Sequence, residues 1–256
     1  MTNGFILIDK ESGVTSSRVV QAVKKKFQFK KVGHLGTLDP MATGLLILAI
    51  NRGTKFSSLL LESHKTYAAE VTLGIQTDTD DAEGEHILSK VITCSDEEAR
   101  RKLLSFLGSS MQQPPIYSAL KVQGKPMYKY AREGIKVEKA ARAIEIKTIE
   151  NISINLPKIS FEVSCSKGTY IRSIARDLGE LLDCGGHLSA LKRLTQQEFL
   201  IKNAKKIDEI TELDIIPLEK AFNHLGSVNL PEEKLKKFIN GSAIDLGLPE
   251  SGLLRA

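Results

Sequence analysis

Apolar residues along this chain fall into two rhythms. Gly4-Phe5-Ile6-Leu7-Ile8-Asp9 and Leu45 to Ile50 are short apolar runs bounded by turn residues, the pattern of buried strands. Tyr67, Ala69, Val71 and Leu73 alternate with Ala68, Glu70 and Thr72, which predicts a half-buried strand closed at Gly74. Ile144 to Ile154 and Ile159 to Cys165 predict two strands joined around Leu156-Pro157, and His187 to Ile201 a returning strand pair. Helical spacing appears elsewhere. Thr15 or Ser16 can cap a helix carrying Val19, Val20, Val23 and Phe27. Phe56, Leu59 and Leu60 suggest a short helix. Ser95 with Glu98 forms a capping box ahead of Ala99, Leu103, Phe106 and Leu107. Met127 to Glu133 predicts another short helix. Ile171, Ile174, Ala175, Leu178, Leu181 and Leu182 share one helical face, with Arg172 and Arg176 on the opposite one. Strands and helices do not alternate regularly, and connections are short. The expected class is α+β: a mixed, mostly antiparallel central sheet flanked by helices, with a short C-terminal appendix from Leu225 onward.

Between two of the apolar segments lies Val32-Gly33-His34-Leu35-Gly36-Thr37-Leu38-Asp39-Pro40-Met41-Ala42-Thr43-Gly44. Three glycines there permit positive φ or close approach of a partner's backbone. Asp39 is the only acid between Glu11 and Glu62, so no carboxylate neighbours it in sequence. Asp-Pro is also a helix-start pair, Asp as cap and Pro as first helical residue. The strand-like run that follows weighs against that reading and leaves Asp39 free for chemistry.

Charge sharpens the picture. The 256 residues carry a formal net charge of +5, and hydrophobic residues make up 41%, enough for a sizeable core. Lys24-Lys25-Lys26 and Lys30-Lys31 precede the glycine stretch. Lys121, Lys125, Lys129, Arg132, Lys136, Lys139 and Arg142 form a second basic segment, broken by Glu133 and Glu138 and accompanied by Tyr117, Tyr128 and Tyr130. Most charge runs are solvated faces. Two runs, one beside the glycine stretch and one interleaved with tyrosines, point to a nucleic-acid partner. The segment 111–142 has two prolines and few core residues, and reads as an insertion that closes over something. Arginines near a helix start gain nothing from its dipole, so Arg172 and Arg176 need a carboxylate or a phosphate.

Other chemistries are disfavoured. Cys94, Cys165 and Cys184 form no CxxC pair, and His34, His64, His86, His187 and His224 form no zinc pattern. The odd cysteine count suggests reduced thiols in a cytoplasmic protein. No apolar run approaches a membrane span, and the N-terminus lacks the pattern of a signal peptide. The acidic loop Thr77 to Glu85 fails calcium-loop spacing at Ala82, Glu83 and Ser89. It is better read as a solvated loop, or as a source of a carboxylate for a basic partner.

Gly33 to Gly44 closely resembles the signature of the bacterial tRNA pseudouridine synthase B (TruB) family. Lys65-Thr66-Tyr67, Thr77-Asp78-Thr79-Asp80-Asp81, Pro114-Pro115-Ile116-Tyr117-Ser118-Ala119-Leu120-Lys121 and Ser166-Lys167-Gly168-Thr169-Tyr170-Ile171-Arg172 follow in the family's order, covering roughly residues 4 to 200. The resemblance implies an isomerase that converts uridine 55, in the T-loop of tRNA, to pseudouridine without metal or organic cofactor. It implies Asp39 as nucleophile, Arg172 as its ion-pair partner, and Tyr67 against the base, placed to help remove the C5 proton. Asp81 would hold Arg172 before substrate arrives, Tyr170 would pack near the base, and His34 would hold the displaced nucleotide. Lys10 follows the first strand as the family's lysine does, with a structural role as open as a catalytic one. Leu191 and Arg193 match a stretch that lines the site and supports RNA binding. Residues 1–224 would be the catalytic domain, 111–142 its thumb-like RNA-binding insertion, and 225–256 a short or truncated PUA-like segment. The expected partner is the tRNA elbow, bound by a monomer without membrane or guide RNA. Two other readings stand beside this one: a tRNA-folding helper that needs no catalysis, and the catalytic subunit of a guide-RNA particle.

Overall fold

The computed structural model describes residues 2–61, 63–135, 137, 140–223, 225–245 and 254–255, with backbone only for 132, 254 and 255. Lys136, Glu138, Lys139, His224, Gly247, Pro249 and Gly252 lie outside these residues.

The chain opens with strand β1 (Gly4–Lys10), helix α1 (Ser16–Phe27), and strands β2 (Val32–His34) and β3 (Thr43–Ile50). A 3₁₀ turn at Asn51–Phe56 leads to α2 (Ser57–Leu61), then β4 (Lys65–Leu73), β5 (Ile75–Thr77), β6 (His86–Ser89) and α3 (Asp96–Leu104). β7 (Gly108–Gln112) precedes a small hairpin of β8 (Lys121–Val122) and β9 (Lys125–Pro126), and α4 (Met127–Arg132). The long pair β10 (Arg142–Asn155) and β11 (Lys158–Cys165) leads to α5 (Ile171–Leu181), β12 (Gly186–Gln196) and β13 (Phe199–Leu200). β14 (Ile216–Pro217), α6 (Leu218–Ala221), β15 (Gly226–Ser227), α7 (Glu232–Ile239) and β16 (Leu254–Arg255) complete the order.

Ten strands form one sheet in the order β14-β1-β3-β12-β4-β11-β10-β7, with β2 also on β3 and β13 also on β12. Only β12 and β3 run parallel in it, through Lys192↔Thr43 and Arg193↔Gly44. This is the expected α+β arrangement. The hydrophobic pattern explains which strands sit where. β1 and β3 are apolar on both faces because both are covered. Ile6, Ile8, Leu46, Leu48 and Ile50 pack in the main core with α1, α3 and α5. Phe5, Leu7, Leu45, Ile47 and Ala49 pack in a second core with Leu60, Phe199 and Phe222. β4 alternates because only one of its faces is covered: Tyr67, Ala69, Val71 and Leu73 are buried, while Ala68, Glu70 and Thr72 are half-buried. The open face beside it borders a cavity of about 570 Å³ that reaches Met41, Thr43 and Leu191.

Thr15 caps α1, its hydroxyl accepting from Arg18 N–H at 3.2 Å. At α3 half of the expected capping box forms. Ser95 Oγ accepts from Glu98 N–H at 3.1 Å, while the Glu98 carboxylate faces Arg101 at 3.9 Å. α3 stops at Leu104, so Leu107 falls outside the helix and is exposed. The segment 111–142 does not begin as irregular chain. Met111 and Gln112 belong to edge strand β7, and Gln112↔Arg142 and Met111↔Ala143 are register pairs. The segment thus leaves the sheet edge and returns to it at adjacent positions. Arg172 is buried at 5% exposure.

Gly44 has φ +93°, and a Cβ there would lie 2.4 Å from the Arg193 carbonyl oxygen across the parallel pair. No side chain fits without moving β12. Gly44→Ala is expected to destabilise the protein by roughly 2 kcal/mol or more through combined clash and backbone strain, measured by urea unfolding.

Candidate active site

Residues 35 to 42 form a loop between β2 and β3, with no helix after Asp39-Pro40, so the capping alternative falls. The loop is strapped to the turn after β1. Gly13 N–H donates to Pro40 O at 2.9 Å, Ser12 Oγ to Met41 O at 3.1 Å, and Ser16 Oγ to Leu38 O at 2.9 Å. Leu38 N–H donates back to Ser16 Oγ, and Leu35 and Leu38 fill the core. With its neighbours anchored, Asp39 keeps a side chain 34% exposed.

The carboxylate meets Arg172 from the first turn of α5. Arg172 Nη2 donates to Asp39 Oδ1 at 3.3 Å, and Nε lies 2.9 Å from Oδ2 as an ion-pair contact outside hydrogen-bond alignment. Nη1 donates to Thr79 O at 3.0 Å and Nη2 also to Tyr117 O at 2.9 Å. Asp81 Oδ2 stands 3.6 Å from Nε. Its other oxygen accepts from Thr79 Oγ1 at 2.7 Å and Glu83 N–H at 3.0 Å. Asp39 therefore has a neighbouring carboxylate in space although it has none in sequence. Burial pushes the Asp39 carboxyl above its ordinary value, Arg172 pulls it down, and Asp81 pushes it up again, with a net rise. The expected effect of Arg172, to hold Asp39 ionised, is present but outweighed by desolvation.

Tyr67 projects from β4 into the same place and is buried. Burial raises its hydroxyl, and Arg193 beside it acts in the opposite sense. Lys10, at the end of β1, is 1% exposed; its Nζ donates to the carbonyls of Glu11 at 3.0 Å, Val14 at 2.6 Å and Pro40 at 3.0 Å. Burial lowers it to about 8 against the raising effect of Asp39 and Glu83. It fastens the loop that carries Asp39. His34 ends β2, with burial and Arg193 both lowering its value, and its Nδ1 is buried without a hydrogen-bond partner. Tyr170 caps α5 through its backbone. Its N–H donates to Gln112 Oε1 at 2.8 Å, Gln112 Nε2 donates to its carbonyl at 3.0 Å, and the Arg142 guanidinium lies 4.6 Å from its ring centre. Leu191 borders the open-face cavity, where its carbonyl accepts from Thr43 Oγ1 at 3.3 Å. Arg193, from the stretch expected to line the site and support RNA binding, lies within the fold. It is buried at 1% exposure, with Nε donating to Leu45 O at 2.6 Å and Nη2 to Gly36 O at 3.2 Å.

Asp39, Arg172, Asp81, Tyr67 and Lys10 thus share one locality. Two contributors, Lys65 and Gln112, had no role assigned from the sequence. Lys65 is buried, held by Leu61 O and Ser63 O and lowered to about 8 by burial. Its signal was its parity, since it shares Tyr67's inward phase on β4. Gln112 clamps Tyr170, and nothing in its local sequence marks it. Arg176 meets Asp80 at 3.1 Å and donates to Gln113 O at 3.1 Å, so both arginines of α5 found partners in the acidic loop and the root of the 111–142 segment. Among the described residues, no group of three His, Cys, Asp or Glu side chains is placed to hold a metal, and no helix is long and apolar enough to cross a membrane.

A family model described as "TruB family pseudouridylate synthase (N terminal domain)" matches residues 24–171. The tRNA pseudouridine synthase B of Alkaliphilus oremlandii is 42% identical over 247 residues, 94% of this chain and 83% of that protein. The protein of the same name from Aromatoleum aromaticum is 40% identical over 262 residues, spanning 100% of this chain and 85% of that one. Among solved structures, a chain of a Cbf5-Nop10-Gar1 complex is 27% identical with a TM-score of 0.71, covering 93% of this chain and 67% of that chain.

Asp80 is raised to about 6, chiefly by burial, with Arg176 the largest opposing influence. Its folded value lies above that of the unfolded chain, so the folded state binds the proton first as pH falls. Lowering the pH from about 7 to about 5 should therefore add about 1 kcal/mol of stability through this group. Asp80→Asn should remove that increment. Urea unfolding of both proteins at the two pH values measures it.

Proposed function

This chain belongs to the TruB family of pseudouridylate synthases, and we propose that it converts uridine 55 of tRNA to pseudouridine, with Asp39 as the essential carboxylate and no cofactor. The observation that carries the reading is the ion pair between Asp39, in the family's loop, and Arg172 of α5, with Tyr67 close enough to feel the Asp39 charge.

The reaction breaks the N1–C1′ bond, turns the uracil and joins C5 to C1′. The Asp39 carboxylate can attack C1′, attack C6, or take a proton from C2′, and all three routes need it ionised and aimed. Arg172 aims it, being fixed by the Thr79 and Tyr117 carbonyls. Asp81 holds Arg172 when substrate is absent. Tyr67 packs on the uracil and receives the C5 proton. Tyr170 closes the other side of the base, and His34, whose ring nitrogen is unpartnered, contacts the displaced nucleotide. Leu191 supports the site through the open-face cavity, and Lys10 holds the loop. Extruding the base costs a few kcal/mol, offset by stacking and by phosphate contacts from the basic segments.

Residues 1–224 act as the catalytic domain, 111–142 as an RNA-binding thumb, and 225–256 as a PUA-like appendix. The protein works as a cytoplasmic monomer on tRNA alone, without guide RNA. Incubation with an unmodified tRNA transcript in the presence of a chelator should give pseudouridine in the T-loop. No product there would overturn the proposal. A requirement for a guide RNA would move the protein to the guide-directed reading.

Asp39→Asn should lower single-turnover product formation by at least about 10⁴-fold, the scale of losing a nucleophilic or general-base group. Its tRNA affinity in filter binding should stay within a few-fold of the parent. Retained refolding of tRNA by the same variant would mark a helper role alongside catalysis.

A further inference from the structure

Arg193 is the most deeply buried cation in the described structure that has no acid to answer it. Its neighbours explain its place. On one side its strand pairs with β4, where Arg193 lies directly opposite Tyr67; on the other it pairs with Gly44 of β3. The guanidinium donates to Leu45 O and to Gly36 O, which lie on the two arms of the loop carrying Asp39. Across that strand pair its charge also acts on the Tyr67 hydroxyl, against the effect of burial. Among the described residues no carboxylate pairs with it, and Tyr67 is the one ionisable group that offsets its burial. A buried charge in such a place is costly unless hydrogen-bonded or given a counter-charge. Here carbonyls supply the hydrogen bonds, and a phenol stands where the counter-charge would be.

We propose that Arg193 is a positioning residue of the isomerisation, which fixes Tyr67 relative to Asp39 and favours the ionised form of the Tyr67 oxygen, rather than a contact for RNA. The inference rests on the reading of Tyr67 and Asp39 given above. Once C5 has bonded to C1′ it still carries its hydrogen. The Tyr67 oxygen takes that proton, and the C–H electron pair closes the C5=C6 bond. The C6=N1 pair moves to N1, which is protonated from water. A guanidinium beside the phenol stabilises its ionised form. The groups facing Tyr67 are Arg193 from β12, Cys165 from β11 and Asp39 from the loop, the last two opposing ionisation. Lys65, His34 and Lys10 surround Arg193 and each feels its charge. Removing the Arg193 fork therefore leaves Tyr67 harder to ionise.

Single-turnover rates on saturating unmodified tRNA transcript, from about pH 6 to about pH 9, test this with Arg193→Lys, Arg193→Gln, Tyr67→Phe and the Tyr67→Phe/Arg193→Lys double variant. Both Arg193 variants should bind tRNA within about twofold of the parent and react at least about tenfold more slowly at neutral pH, the usual scale of lost proton-transfer assistance. Lys should recover part of what Gln loses, and because burial holds the Tyr67 hydroxyl above this pH range the deficit should stay constant across it. In the Tyr67→Phe background Arg193→Lys should cost almost nothing more. Weakened tRNA binding with an intact saturating rate would overturn the proposal. So would a deficit that is additive with Tyr67→Phe. Should the Arg193 variants not fold, thermal melting of Tyr67→Phe tests the contact from the other side. A hydroxyl that partners the buried guanidinium lowers the melting midpoint when it is removed, and an equal or higher midpoint overturns the contact. Parent protein inactive on tRNA would instead remove the functional reading.

Discussion

The structure depends most on the guanidinium of Arg172. It is buried, yet it holds together three stretches that are far apart in sequence: the Asp39 loop, the acidic loop at Thr79 and Asp81, and the root of the 111–142 segment at Tyr117. Breaking a buried pair of this kind by removing one partner costs several kcal/mol, because the other charge is left without compensation. The same residue thus sets the direction of the carboxylate and closes the polar seam over which the helix start sits. Neighbouring Arg176 and Ser173 extend that seam, both reaching Gln113 O.

Beneath the Asp39 loop, positive charge accumulates. Lys10, Lys65 and Arg193 are all buried, and all are held by backbone carbonyls instead of by acids. Carbonyl oxygens satisfy the donors while leaving net charge in place. Loop and strand ends are thereby fastened from below, and the region around Asp39 is electropositive beneath a carboxylate that burial makes reluctant to ionise. The two tendencies meet at Asp39, and Arg172 is the largest influence favouring its charged form.

Much of the sheet was legible in the sequence because hydrophobic period reports burial directly. β1 and β3 read as continuous apolar runs since cores lie on both sides of them, and β4 alternated since one of its faces is open. β7 was missed for the converse reason: Gly108-Ser109-Ser110-Met111-Gln112 pairs on one side at the sheet's edge and carries almost no apolar imprint. Asp39 stood out through its odd surroundings, and the acidic loop through its failed calcium spacing. The burial of Arg172 did not show, because its helix face is covered by segments at residues 79–81 and 113–117, which only the tertiary fold brings together. For Lys10 and Arg193 the residue type announced a cation but not its orientation. A lysine that reaches carbonyls below the loop and one that reaches phosphate above it read alike in sequence.

The root of the 111–142 segment also bears on how this architecture can change over time. Gln112 and Arg142 are neighbours across one strand spacing, so everything between them begins and ends at a single point of the sheet edge. Lengthening such a loop costs little, since a doubling adds only about 0.6 kcal/mol of closure entropy. Its composition can drift without disturbing either hydrophobic core. Selection can therefore retune what the segment grips while the pair of strands that carries it, and the carboxylate beyond, stay as they are.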